Sequence, residues 1–376
     1  MSATFQLLLN GDPADDALLA QMGTLEVEEN ADLPGAIQVT LPVDSDDNGD
    51  LTYVNDPRFQ PFANLAVVAT PDGGSDECIF DGYVLSNQLH LQKGTTGSTL
   101  RVWGQDASWL MNLKENAQEW VDVTDADVAN AIFGNYGITP SDDNTTDDSP
   151  SHTEDTHTLM QRASDIQFLR TLARRNGKLC RVACTDTPGQ RTGYFAKPNV
   201  DGDPLVTLEL NDPAAWTVDS LDFEWHVSRP TEVLAAQALF NDSDEDGVSV
   251  DQTDSGLDPL DEQDLATFSG KAMTVMLTAP VDSVEELTLR AESVLREAGW
   301  FVRCSGQADV SRLNAVLRVG TVVQVNGAGS LNSGNYFVWS VRHSIDKRAH
   351  KMSFVLVRNA VGSLPPGGGS VLGSLP

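Results

Sequence analysis

Lysine is scarce in this chain, with 7 among 376 residues; 24 Lys plus Arg face 39 Asp and 16 Glu, for a formal net charge of −31. No stripe of Lys and Arg interrupts that pattern. Phosphate backbones and anionic lipid surfaces are recognised by concentrated positive charge, so specific nucleic-acid binding is not expected. Long apolar runs are missing too. No stretch reaches 18 residues, and the start, Met1-Ser2-Ala3-Thr4-Phe5, has neither the basic beginning nor the apolar core of a secretion signal. Membrane insertion by this chain is therefore not expected. Synthesis in the cytoplasm is, with any exit by lysis or inside an assembled particle.

Cysteine is sparse: Cys78, Cys180, Cys184 and Cys304, all among apolar neighbours. Cys180 and Cys184 lie four apart, but no second Cys pair or Cys/His pair completes a zinc site, and buried free thiols in a reducing compartment are the expectation. Catalytic signatures are absent as well. There is no G-x-S-x-G, H-E-x-x-H, Walker loop or G-x-G-x-x-G ahead of a helix, so no enzyme activity and no cofactor are expected. His152 and His157 sit five apart beside Glu154 and Asp155, a spacing that fits neither a helix face nor a strand face. His343 reads as a hydrogen-bonding structural residue at a strand end.

Two acidic loops copy the first half of a calcium-binding EF-hand loop: Asp44-x-Asp46-x-Asn48-Gly49 and Asp242-x-Asp244-x-Asp246-Gly247. The bidentate Glu of position 12 is replaced by Asn55 and Thr253, and convincing helices flank neither loop. Asp is so abundant that such matches arise by composition, and solvated loops are the expectation. The acidity itself fits a high-salt proteome, in which bulk salt screens self-repulsion. An acidic channel lining is compatible with the same composition.

With 40% apolar residues, the chain has material for sizeable cores. Residues 1–110 read as short strands, among them 37–41, 65–69 and 100–103, cut by Asp/Gly/Asn/Pro turns. Thr124 caps a helix with an acidic first turn and a stop at Gly134. A polar loop, 139–158, precedes a helix expected over 159–176, with Leu159, Ala163, Ile166, Leu169 and Ala173 at helical spacing and Gly177 as its stop. Strands follow at 205–210 and 220–227, then an acidic stretch, 241–264, expected as a surface loop. Ser283-Val284-Glu285-Glu286 opens a third helix as a full capping box, and Gly299 ends it. Closing strands are expected at 317–325, 336–344 and 351–358, and tryptophans are expected mostly in the core. The expected organisation is a first β-barrel domain (1–110), an inserted α/β domain (111–200), a second β-barrel domain (201–361) holding the acidic loop and the capped helix 283–299, and a flexible Gly/Pro tail (362–376).

Trp103-Gly104-Gln105-Asp106, Ile132 to Ile138, and Gln161-Arg162-Ala163-Ser164-Asp165-Ile166-Gln167-Phe168-Leu169-Arg170 running on to Asn176-Gly177 resemble the phage late control protein D family. So do Leu317-Arg318-Val319-Gly320-Thr321, Gly334-Asn335-Tyr336-Phe337-Val338 and Val341-Arg342-His343. That family includes baseplate or tail hub proteins and the N-terminal portion of type VI secretion spike proteins. The resemblance covers about residues 60 to 360 and implies a mainly β fold: two tail-tube-like β-barrel domains with an inserted α/β segment. It implies a structural hub at the distal end of a phage-type tail or contractile injection system, a homotrimer adapting a hexameric tube to a trimeric spike or tip. The implied partners are tail tube or tube-initiator proteins and a spike or tip protein on a separate chain. The expected location is the virion tail or injection-system baseplate. Competing readings are an acidic, particle-associated envelope hydrolase acting on glycan or peptidoglycan, and a calcium-stabilised adhesion module.

Overall fold

A computed structural model of the chain describes residues 4–45, 47–93, 97–145, 149–154, 158–237, 247–281 and 283–363. Period-two alternation dominates it. In Ala36–Pro42 the apolar Ile37, Val39 and Leu41 are buried while Gln38 and Thr40 face outward, the pattern of a strand with one covered face. Such strands build a 13-stranded sheet whose spatial order is Val218–Trp225, Val302–Asp309, His350–Arg358, Gly334–Ile345, Thr24–Asn30, Ala36–Pro42, Thr99–Asp106, Glu77–His90, Asn64–Thr70, Thr4–Leu9 and Asp12–Pro13. Val322–Asn326 branches from Gly334–Ile345, and Thr207–Glu209 lies parallel to it.

One pairing joins the two ends of the chain into this sheet. Thr24–Asn30 runs antiparallel to Gly334–Ile345, with Leu25 opposite Ile345 and Asn30 opposite Ser340. One continuous core lies beneath it, from Leu7 through Val102 to Val361. Register shifts at Val84/Ser86 and Val338/Ser340 add local twist, which curls the sheet. The curl brings backbones close: a Cβ on Gly104 would stand 2.6 Å from the Tyr83 carbonyl oxygen and 2.9 Å from Ile37 Cγ2, so only glycine fits there.

Residues 107–196 leave the sheet and form their own core around Phe133, Leu169, Leu172 and Phe195. Helix Asp125–Asn135 carries a reciprocal capping box, with Thr124 and Asp127 bonding each other's backbone N–H. The expected helix over 159–176 is shorter. Its first six residues, Leu159–Ser164, form a strand antiparallel to Glu115–Trp120, and helix Asp165–Arg175 starts only at the Ser-Asp pair. Buried Gln161 explains the difference: in the strand it donates to Asp165 Oδ1 and accepts from Trp120 Nε1, whereas a helix would strand those polar groups.

A third core lies where helix Val284–Gly299 packs Leu287, Ala291 and Leu295 on a small sheet of Ser249–Gln252, Glu232–Gln237 and Thr274–Ala279. Ser283 accepts the Glu286 N–H at 3.1 Å as expected. The expected full box is only half made, because the Glu286 carboxylate turns to Arg290 at 2.8 Å, an i,i+4 partner of opposite charge. The acidic stretch 241–264 is not wholly loop: Ser249–Gln252 pairs with Glu232–Gln237, while 241–246 lies outside the described residues. No described helix is long and apolar enough to cross a membrane.

Candidate functional site

Two faces of the molecule deserve a chemical reading, an internal joint and a polar sheet surface. The joint forms where two interior strands of the large sheet, Thr24–Asn30 and Glu77–His90, and the turn holding Arg318 meet the inserted segment. Arg318, on the turn before Val322–Asn326, donates from Nε and Nη2 to the Glu29 carboxylate at 3.0–3.3 Å, and from Nη1 to Glu77 at 2.8 Å. It also reaches the carbonyls of Cys184 and Thr185. Burial pushes the Glu29 carboxyl up, but Arg318, with His343 beside it, more than reverses this and holds it below the usual range. His343 Nδ1 and His350 Nε2 lie 3.0 Å apart, both buried. Burial first, and the neighbouring His343 second, push His350 down to about 3, so it stays neutral.

Strand Glu77–His90 carries the other anchors. Asp81 accepts Arg191 in a two-pronged bond at 2.9–3.0 Å, plus the Asn64 amide and the Gly189 N–H. Burial alone would raise this carboxyl; Arg191 and Asn64 bring it below its ordinary value. Cys78, on the same strand, is disulfide-bonded to Cys184. This corrects the expectation of four free thiols, which holds only for buried Cys180 and Cys304, each pushed up to about 12 chiefly by burial. The pairing spans 106 residues and left no trace in local spacing.

His152 is not in an open metal site. Its Nε2 lies 2.7 Å from Asp125 Oδ1 and it is fully buried, beside Asn176 and Arg175 on the same carboxylate. His157 and Asp155 lie outside the described residues. Among the described residues no group of three His, Cys, Asp or Glu is placed to hold a metal. Asp44 sits in a closed turn, with the Thr52 N–H on its carbonyl at 2.9 Å and Ser45 bridged to Leu51. Asn48 shares that turn; Asp46, Asp242, Asp244 and Asp246 fall outside the described residues. Tryptophan is less internal than expected: Trp103, Trp216 and Trp225 are each about two-fifths exposed.

The second face is the outer side of the curled sheet. Alternation places Ser220, Gln307, Ser353, Arg342 and Glu28 in one row across five strands. Asp222, Ser305 and Ser340 stand in the next row, and a shallow concavity of about 340 Å³ lies over them. Four serines and Gln307 make most of this surface uncharged and wettable; of its charged side chains, Arg342 pairs with Glu26 at 2.8 Å, and Glu28 and Asp222 are acidic. Sequence reading missed this face because each serine is unremarkable until the register aligns it.

The family model described as the Alg8 N-terminal domain matches residues 1–347. No curated protein matches the chain in sequence. Among solved structures, the 43 kDa tail protein of prophage MuSo2 from Shewanella oneidensis is similar at TM-score 0.65 and 14% identity, covering 96% of this chain and 100% of its own. A tail protein from Neisseria meningitidis MC58 gives TM-score 0.65 at 13% identity, over 96% of this chain and 97% of that one. The c3393 protein of E. coli, described as a component of the type VI secretion system, gives 0.55 at 12% identity, over 92% and 76%. These likenesses establish the fold expected from sequence: mainly β, two tail-tube-like β-barrel units and an inserted α/β segment. The matching family model is a different one from the late control protein D family named by the motifs.

Proposed function

The chain belongs to the family of the Alg8 N-terminal domain, and from its tail-protein fold we propose that it is a non-enzymatic structural hub of a phage-type tail or contractile injection system. The observation that carries the reading is the single curled sheet fusing two barrel units through the Thr24–Asn30/Gly334–Ile345 seam. Three such chains around an axis present six quasi-equivalent barrel units to a hexameric tube and threefold symmetry to a spike or tip, a cyclic assembly through heterologous contacts. Strand pairing between neighbours would consume sheet edges that otherwise template aggregation.

In this reading the division is 1–110, 111–200 and 201–361, with 362–376 as a tether, and the serine- and glutamine-rich outer face of the sheet lines the lumen. Short polar side chains and few cations suit a surface over which polyanionic or protein cargo must slide without sticking. Calorimetric titration should detect no calcium uptake at the acidic sequences 44–49 and 242–247. The same acidity fits assembly in high salt. Electron microscopy of the purified chain mixed with its tube protein tests the reading. Rings capping tube ends are expected; free globules that leave tube ends bare would sink it. Envelope preparations should stay intact in its presence, against a hydrolase.

A further inference from the structure

We infer that the cleft between helices Asp165–Arg175 and Val284–Gly299 is a docking groove for an extended acidic peptide of a partner protein. The cleft measures about 460 Å³ and opens to the surface. Of the 24 bases in this chain, five line it: Arg174, Lys178, Arg229, Arg296 and Arg303. Three acids, Asp32, Glu224 and Glu297, stand against them. Five minus three leaves a formal +2, in a molecule that carries −31 in total. Such local reversal of sign concentrates field lines within a cleft and draws in carboxylates.

Arg229, half-buried, donates to the Glu297 carbonyl at 3.2 Å, and the other four cations divide into two sets. Lys178 and Arg296 are buried and committed inward, Lys178 to Ser149 at 2.8 Å and Arg296 to the Asn176 and Gly177 carbonyls at 2.9 and 3.2 Å. Arg174 and Arg303 are exposed. The Arg174 side chain holds only the surface pair with Asp32 at 3.0 Å, and the Arg303 side chain makes no hydrogen bond or ion pair with the described residues. Arg303, and Arg174 on exchanging its single surface bond to Asp32, can clamp a carboxylate in the two-pronged geometry that favours arginine. Between them the wall is apolar: Trp300, Trp339, Leu179, Pro198 and Val357.

That mixture selects the ligand. A nucleic acid would bring a phosphate past each of the three interleaved carboxylates and into a strongly negative overall field. A peptide with spaced carboxylates and one aromatic or aliphatic side chain satisfies both the cations and the indole wall. Glu224, Arg303 and Val357 stand two residues along their strands from Asp222, Ser305 and Val355 of the polar face, so the cleft adjoins the proposed lumen, but the inference rests on the cleft's own cations and apolar wall and not on the hub reading.

The test uses the full chain and a labelled ten-residue peptide with four Asp or Glu and one central Phe, followed by fluorescence polarisation at two salt concentrations. Comparators are the Asn/Gln version of that peptide and a ten-nucleotide single strand of DNA. Saturable binding of the acidic peptide alone, weakening with salt, is expected, with Arg303→Glu and Arg174→Glu each costing about tenfold or more in affinity. Arg303→Glu removes no side-chain bond but sets a carboxylate opposite Glu224 across the strands, so Arg303→Gln, whose melting temperature should match the parent while its affinity falls, separates lost binding from lost folding. Equal binding of the neutral peptide, preferential binding of the DNA, or unchanged affinity in both variants would overturn the proposal. So would a drop in the oligomeric mass of the Arg303→Glu protein, which would make a second copy the occupant.

Discussion

Arg318 and Glu29, 289 residues apart in sequence, share a two-pronged ion pair whose members are each only about one-eighth exposed. The pair closes the ring of contacts that unites strands Thr24–Asn30 and Glu77–His90 with the inserted segment, since Arg318 also holds Glu77 and the Cys184 carbonyl. Removing one partner leaves the other charged in a poorly solvated site. Arg318→Met should therefore cost about 3–5 kcal/mol, and the Arg318→Met/Glu29→Gln double variant less than the sum of the single changes. Denaturant unfolding of the four proteins checks this; strictly additive losses would contradict it.

Stability should fall on mild acidification. His350 is held neutral well below the ordinary histidine value, while the unfolded chain takes up that proton below about pH 6.5. Its contribution is complete above that pH and declines by about 1.4 kcal/mol per unit until the folded value near 3. Glu29, Asp81 and Asp125 are held low, so their contributions persist until the pH drops through the carboxylate range. Between pH 7 and pH 5 the loss should be about 2 kcal/mol, and His350→Asn should flatten that slope. Parallel slopes in both proteins would refute the assignment.

The Cys78–Cys184 bond ties strand Glu77–His90 to Leu179–Cys184. Its loss in Cys184→Ser should lower stability by about 2–4 kcal/mol. Alkylation of the unfolded, unreduced protein should label two thiols, Cys180 and Cys304, and four after reduction. Four labels without reductant would show the bond absent.

Gly104 is fixed by approach and not by turn geometry. Gly104→Val should prevent soluble folding or cost more than about 3 kcal/mol, because backbone and not a flexible side-chain end blocks the new atoms. A solubility and melting comparison with Gly134→Ala, where nothing lies within 4 Å, controls for glycine loss alone.

Much of this architecture was legible wherever one physical signal dominated. Ile37, Val39 and Leu41 alternate, and Leu287, Ala291 and Leu295 repeat at helical spacing behind Ser283, so strand and helix followed. Leu159–Ser164 misled because Leu159 and Ala163 satisfy both periods, while its partner Glu115–Trp120 is too polar to announce a strand. Arg318, Glu29 and the cysteine pair were invisible for another reason. Each is non-local, and one sequence carries no sign of which distant residue will meet which. The cation-lined cleft likewise assembles from seven separate segments, diluted in a chain where acids outnumber bases by more than two to one.

The hub account stands or falls on self-association. Sedimentation velocity of the purified chain in high salt should give a species three times the 40.5 kDa protomer, with threefold particles by electron microscopy. A single monomeric species across the salt range, at concentrations where partners are absent and present alike, would contradict it.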